Sequence, residues 1–243
     1  MADGLPLGMR FEVPAADDVG RRLFKYRVHE APILRWLQER PAPGNEELAV
    51  DAGANLGWYP VLLDRLSAGR LDIHAFEPDP DNRALLARNL SLNEVHRVTV
   101  WDRALADREG TATLHRYRDL NRGKHSLRPL AGAVDEVAVR CARLDDVLGA
   151  AGLADRPVWL LKIDVEGLEP AVIRGAAATL RRVRSLVLEY SPMYYEEDEG
   201  PVMLQSLTAA GLSPALWDGA RWAPCSPDQV GALTEQRDTV WTR

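Results

Sequence analysis

The sequence predicts an α/β fold, a doubly wound and mostly parallel sheet with helices on both faces. Three observations point there. Short apolar runs of strand length alternate with stretches of helical spacing, the pattern of parallel pairing through right-handed crossovers. The run "VWLLKI" at 158–163 is apolar almost throughout, as a strand covered on both faces requires. Finally, Asp51, Glu77, Asp102, Asp164 and Glu189 each fall where a strand stops, and ligands bind at the carboxyl ends of the strands in such folds.

Each element has its own signal. "EAPILRWLQER" (30–40) places Ile33, Leu34 and Leu37 on one helical face. "PAPGNE" breaks the chain, and "ELAV" is a short strand ending at Asp51, with helix resuming near Leu56. "LDIHAFEP" (71–78) is a strand stopped by Pro78, and Asp79 or Asp81 caps the helix "DNRALLARNLSLN". "RVTVWDRAL" reads as one further strand. The segments "GTATLHRYR" and "VDEVAVRC" are both β-like and flank a long polar stretch, giving a β-hairpin-like insertion over 106–142. "RLDDVLGAAGL" is a short helix, "PVWLLKID" a buried strand and "EPAVIRGAAATLRR" one helix. "SLVLEYS" is a strand, "GPVMLQSLTAAG" a helix, and "SPALWD" and "DTVWTR" are closing strands. With 243 residues and no linker, one domain over 1–243 is expected, with 1–45 as an N-terminal helical cap segment.

Bulk properties narrow the partners. Net charge is −6 and the only basic cluster is Arg181, Arg182 and Arg184, which argues against nucleic acid because phosphate binding needs a concentrated basic face. No apolar run approaches the roughly 20 residues of a membrane helix, and the N-terminus lacks a signal-peptide pattern. Cys141 and Cys225 are the only cysteines and read as thiols of a cytoplasmic protein. The expected partner is a small molecule, with neither nucleic acid nor membrane.

The stretch "VDAGANLGWYP" (50–60) carries the most chemistry. A strand, a Gly-rich turn and a helix together present backbone N–H groups and a positive helix end. The glycines are too few for GxGxxG, and Asp51 would repel a pyrophosphate. An acid beside such a turn suits an ammonium group, and the turn amides suit a carboxylate, so an amino-acid zwitterion fits both. On this reading Gly53 and Gly57 give that carboxylate room, and Gly53→Val abolishes cofactor binding with the fold mostly intact. Glu77 can accept hydrogen bonds from a ribose diol, and Asp102 can accept from the adenine amino group. Ribose with an amino acid and no phosphate describes S-adenosylmethionine. Each acid taken singly is also readable as a helix cap or a solvated turn residue.

"VDAGANLGWYP", "HAFEPDPDNRALLARNLSLN" and "LLKIDVEGLEPAVIRGAAATL" resemble successive motifs of the FkbM-type methyltransferases, a family of class I S-adenosylmethionine-dependent enzymes. The resemblance runs from about residue 30 to 191 and implies a Rossmann-like seven-stranded sheet and methyl transfer to a hydroxyl of a sugar or specialised metabolite. It implies that Asp51, Gly53, Ala54, Asn55 and Gly57 line the methionine end of the cofactor. Glu77 and Pro78 match the ribose position, Asp102 falls near adenine, and Asp164 sits where its strand meets the active site. The match is weak over 106–142 and 192–235, where acceptor specificity would lie.

An alcohol acceptor needs a general base. The candidates are Asp164 and Glu166 on the turn "KIDVEG", Glu189 at the next strand end, and His125 in the polar loop 121–127, beside Asn121 and Ser126. His29 is a second base or a cap, and His74 is structural. Asp164, Glu166 and Glu189 could instead supply three oxygens to Mg2+, while Glu166 could merely cap the following helix. Trp101 could stack on adenine, and Tyr194 and Tyr195 could wall an acceptor pocket. Two rivals remain at this level, a nicotinamide-dependent oxidoreductase and a non-catalytic cofactor-binding protein on the same fold.

Overall fold

The computed structural model describes residues 4–14, 18–117, 125–129 and 132–243. Its frame is an eight-stranded sheet in the order β10-β9-β11-β8-β7-β1-β2-β3. The parallel part comprises β1 (Leu48–Ala52), β2 (Asp72–Phe76), β3 (Val98–Trp101), β7 (Val158–Ile163) and β8 (Val183–Tyr190). β11 (Arg237–Thr242) runs antiparallel to β8, and β9 (Ser213–Trp217) antiparallel to β11. These make the seven expected strands. The eighth, β10 (Trp222–Pro224), hairpins back onto β9 through a turn in which Asp218 accepts the amides of Ala220 and Arg221.

Helices cover both faces: α3 (Trp58–Ser67), α4 (Pro80–Leu92), α5 (Leu144–Ala150), α6 (Glu169–Gly175), α7 (Ala177–Leu180) and α8 (Glu199–Ala209). β1 and β7 are buried at every residue, which explains why "VWLLKI" lacks alternation. Two large clusters form the core, one holding Trp58, Tyr59, Leu62 and Trp159, the other Leu161, Ile163, Leu186 and Trp241. Asp79 caps α4 as expected, accepting the amides of Asp81 and Asn82.

Several elements depart from expectation. "RVTVWDRAL" is two strands, because the chain leaves the main sheet at Asp102. Its second half, β4 (Arg103–Leu105), joins β5 (Gly110–Arg116) and β6 (Asp135–Ala142) in a separate three-stranded sheet, order β4-β6-β5. β5 and β6 form the antiparallel pair of the insertion, from Gly110↔Cys141 to Arg116↔Asp135. The helix expected over 169–182 is broken at Ala176. A Cβ at Gly175 would press on the backbone of Ala106, so the main sheet's helix layer meets the small sheet there. One helix went unforeseen, α9 (Pro227–Gly231), started by a Ser226–Gln229 capping box; α1 (Asp18–Tyr26) lies within the expected N-terminal helical segment, and α2 (Ala31–Gln38) falls as expected.

The N-terminal segment packs across α4. Asn89 and Asn93 treat it as a neighbouring strand would: they accept from the amides of Glu12 and Arg10 and donate to those residues' carbonyls. Met9 and Phe11 are thereby fully buried. This docking brings α1 and the start of α2 to the carboxyl ends of the parallel strands. No described helix is long and apolar enough to cross a membrane.

Candidate active site

A cavity of about 450 Å3 opens at those strand ends. Gly53, Ala54 and Asn55 follow β1, Glu77 and Pro78 follow β2, and Asp164 and Glu166 follow β7. Glu189 closes β8, and His125 and Leu127 reach in from the insertion. Most residues named from sequence therefore meet in one place. Asp51, Gly57 and Asp102 do not line it.

Each exception has a physical reason. Asp102 sits where β3 peels away from the sheet, and its carboxylate pairs with Arg140 on β6. Trp101 stacks on Phe76 and donates its indole N–H to His74 Nδ1 at 3.2 Å, so it is core, as is His74. Gly57 has φ +94° and heads α3, and a Cβ there would stand 3.1 Å from Leu86 on α4. Its smallness serves helix packing. Gly53 (φ +82°) does line the cavity, yet a Cβ would overlap the carbonyl oxygen of Asp164. Both glycines are thus explained by the protein's own backbone and side chains, and the expectation that Gly53→Val spares the fold is corrected.

The turn amides are also engaged. Gly53 and Ala54 both donate to the Phe76 carbonyl, Gly57 to Ala54, and Asn55 to Glu77 Oε2 at 2.7 Å. What remains for an anion is the first turn of α3, which begins without a side-chain cap and leaves amides unpaired by geometry.

Glu77 binds two turns together. Its Oε2 takes the Asn55 amide and its Oε1 the Asp79 amide at 2.9 Å. Only 5% exposed, it has its carboxyl pushed by burial up to about 7 in spite of those bonds. Each oxygen retains a lone pair for a ligand.

Opposite Glu77 lies a charged network. Lys162, on β7, is 4% exposed. Its Nζ lies 3.1 Å from Asp164 Oδ2, 3.1 Å from the Gly53 carbonyl and 3.5 Å from Asp51 Oδ1, over the Tyr59 ring. Burial disfavours its charge, but Asp164, Asp51 and Glu30 outweigh that and hold it protonated. Asp51 is fully buried, and both its oxygens lack a hydrogen bond. Burial raises its carboxyl to about 6 although Lys162 pulls the other way.

His29 and Glu30 complete the network from the N-terminal side. His29 Nε2 lies 2.8 Å from Glu30 Oε1, and the Tyr59 hydroxyl donates to Glu30 Oε2. Burial opposes both charges. The Glu30 carboxylate and Asp164 nevertheless hold the imidazole above its ordinary value, while His29, Lys162 and Tyr59 hold Glu30 down at about 2. His29 Nδ1 is buried without a partner. Asp238, on β11 directly across from Glu189, is pushed to about 7 by burial and by the charges of Glu30 and Asp164. Glu189 rises well above the carboxylate range through burial, Asp164 and Glu166. Glu30, Asn55 and Glu166 all line this cavity with left-handed backbone (φ 50°, 48° and 52°), the kind of strain that gathers at functional sites.

The insertion is fastened at several points, among them Arg128, which donates to the Gly167 carbonyl at 2.8 Å. Arg116 pairs with Asp79 at 2.6 Å, and the Ser126 hydroxyl donates to the Glu166 carbonyl at 2.7 Å. His125 Nδ1 accepts the Tyr117 amide at 3.2 Å; Asn121 lies outside the described residues. The turn after β7 is organised by Glu169, which accepts the amides of Val165 and Gly167, and not by Glu166. Tyr194 packs on Gly167 and the Tyr195 hydroxyl accepts the Ser191 amide, so neither walls the cavity. Asp164, Glu166 and Glu189 place one oxygen each within 4.8 Å of the others. Carboxylates converging in this way do not by themselves specify Mg2+.

The chemistry missed from sequence is Lys162 and Asp238; His29 is expected as a second base or a cap, and the structure adds its pairing with Glu30. For Lys162 a signal existed, a cation inside an otherwise apolar strand, because an isolated buried ammonium must find carboxylates.

The fold and site together define an α/β methyltransferase architecture. A family model for the methyltransferase FkbM domain matches residues 51–213, and the chain belongs to that family. It is 29% identical over 216 residues to the methyltransferase sdnD of Sordaria araneosa, covering 77% of this chain and 80% of the relative. It is 28% identical over 201 residues to the 2-O-methyltransferase NoeI of Sinorhizobium fredii, covering 77% and 78%. Among solved structures, the FkbM methyltransferase of Methylobacillus flagellatus aligns with TM-score 0.50 at 15% identity over 93% of this chain and 61% of its own. SMU.1697c of Streptococcus mutans, a methyltransferase-like protein solved with S-adenosylhomocysteine, aligns with TM-score 0.51 at 11% identity over 88% and 99%. Membership in a methyltransferase family sets aside the nicotinamide alternative.

Proposed function

We propose that this chain is an S-adenosylmethionine-dependent O-methyltransferase acting on a hydroxyl of a small molecule, a sugar or specialised metabolite. The observation that carries the reading is the cavity's charge pattern. Glu30, Asp164, Glu166, Glu189 and Asp238 gather around the Lys162 ammonium, with Arg22 and Arg237 also on the wall, across a floor that ends in the ribose-type acceptor Glu77. A carboxylate wall beside a diol acceptor suits a ligand that carries both an ammonium group and a diol. The S-adenosylhomocysteine in the Streptococcus mutans fold relative and the 2-O-methyltransferase name of NoeI support the same reading.

On this reading Glu77 holds the ribose, and the uncapped start of α3 takes the methionine carboxylate. Bound S-adenosylmethionine would supply a methyl group already activated by its sulfonium. The protein's own work is then alignment, on the order of 7–11 kcal/mol at best, and proton removal, roughly 10²–10⁴-fold.

His29 is the group best built for the proton. Its Nε2 is fixed by Glu30, Glu30 is fixed by Tyr59, and Nδ1 is left for the acceptor hydroxyl. This is the base-and-orienter arrangement of general-base sites. No step requires a metal. The test is calorimetry with S-adenosylhomocysteine on protein cleared of copurified ligand, followed by a screen of extracts with methyl-labelled S-adenosylmethionine. Binding and label transfer to a hydroxyl are expected. Binding without transfer to any acceptor would favour a non-catalytic role.

A further inference from the structure

An acid ending β1 would ordinarily be read as the receptor for a ligand's ammonium group. Here that position is already filled from within. β1 and β7 are parallel neighbours in which Asp51 and Lys162 are direct partners, so their side chains share a face of the sheet. Asp164 follows two residues later on the same side. Lys162 Nζ carries three N–H groups: it donates to the Gly53 carbonyl at 3.1 Å, pairs with Asp164 Oδ2 at 3.1 Å, and lies 3.5 Å from Asp51 Oδ1, an ion pair without a hydrogen bond. Beyond it Asp51 is 0% exposed and absent from the cavity wall, whereas the Asp164 side chain is 29% exposed and lines it.

We propose that Lys162 is a built-in counter-ion and positioning residue: it occupies the ammonium place at Asp51 and turns Asp164 toward the cofactor's amino group, so that Asp51 never touches the ligand. The inference rests on the cofactor reading above. A permanent internal ion pair lets β1 and β7 end in acids side by side before any ligand arrives, because the ammonium between them screens their repulsion. It also anchors the Gly53 turn through its carbonyl, linking charge placement to the shape of the cofactor loop. Removing the ammonium strands a carboxylate in the core, which is far costlier than removing both partners.

The experiment uses full-length protein and S-adenosylhomocysteine as probe, with dissociation constants from titration calorimetry and melting temperatures from scanning calorimetry. Asp51→Asn should leave the dissociation constant within about threefold of wild type, and Asp164→Asn should raise it about tenfold or more. Lys162→Met should lower the melting temperature by several degrees, and the double variant Lys162→Met/Asp51→Asn should recover most of that loss. If Asp51→Asn weakens binding as much as Asp164→Asn, the ligand reaches Asp51 and the inference is overturned. A double variant no more stable than Lys162→Met overturns the pairing itself. Wild-type protein that fails to bind S-adenosylhomocysteine sinks the cofactor reading, while the melting arms still decide whether Lys162 serves Asp51.

Discussion

Gly53 and Asp164 meet backbone to backbone: a Cβ on Gly53 would stand 3.0 Å from the Asp164 carbonyl carbon and overlap its oxygen. The turn after β1 is thereby pressed against the end of β7, which brings the cofactor loop and the acidic cluster within reach of one ligand. Gly53→Ala adds left-handed strain of about 1–2 kcal/mol to overpacking of about 1–3 kcal/mol. Melting of the ligand-free variant should fall clearly. An unchanged melting temperature with lost cofactor binding would show instead that the glycine serves the ligand alone.

Glu77 has a double duty, and its removal should show both parts. Glu77→Ala should raise the S-adenosylhomocysteine dissociation constant about tenfold or more, since a charge-assisted contact contributes around 1.5–3 kcal/mol. It also deprives the amides of Asn55, half-buried, and Asp79, buried, of their acceptor, at about 1–3 kcal/mol of stability. Calorimetry of binding and of unfolding separates the two. Asp102→Ala, by contrast, should leave cofactor affinity near wild type, because Asp102 is engaged with Arg140 away from the cavity.

The buried carboxyls set a pH dependence. Asp51 is raised to about 6, and Glu77, Glu169 and Asp238 to about 7, so the folded protein holds protons that the unfolded chain releases near pH 4. Their favourable contribution is complete below about pH 4 and is lost as pH rises through about 6–7. Each titrating group contributes a slope of at most about 1.4 kcal/mol per pH unit. Ligand-free protein should therefore melt lower at pH 8 than at pH 5.5, and Glu77→Gln should flatten the fall. A melting temperature rising over that range would contradict the assignment.

The sequence makes the site's outline legible but not its interior. Asp164, Glu77 and Glu189 could be placed because parallel strands put their last residues at one edge. Which neighbour each acid answers to depends on register between distant strands. Lys162 faces Asp51 only because β7 lies beside β1, and Asp238 faces Glu189 only because β11 returns antiparallel. His29 and Glu30 enter through the docking of residues 9–12 on Asn89 and Asn93, side-chain pairing that carries no periodic signal. The two glycines of "VDAGANLG" were visible, yet what they touch, Asp164 and Leu86, was not.

Once an acceptor is in hand, His29→Asn should lower turnover by roughly 10²–10⁴-fold with S-adenosylhomocysteine affinity within a few-fold of wild type. The groups facing His29 are Glu30, Asp164, Lys162 and Asp238. The acidic limb of kcat/KM, which reports the free enzyme, should lie above the ordinary imidazole value, and Glu30→Gln should move it down. A His29→Asn variant with wild-type turnover would move the base elsewhere, with His125 next in place.

The most direct test of the account is titration calorimetry of S-adenosylhomocysteine into ligand-cleared protein, wild type beside Glu77→Ala. Saturable binding at one ligand per chain, weakened about tenfold or more in the variant, is the predicted result. Absence of binding to the wild type, or equal affinity in the two proteins, would contradict it.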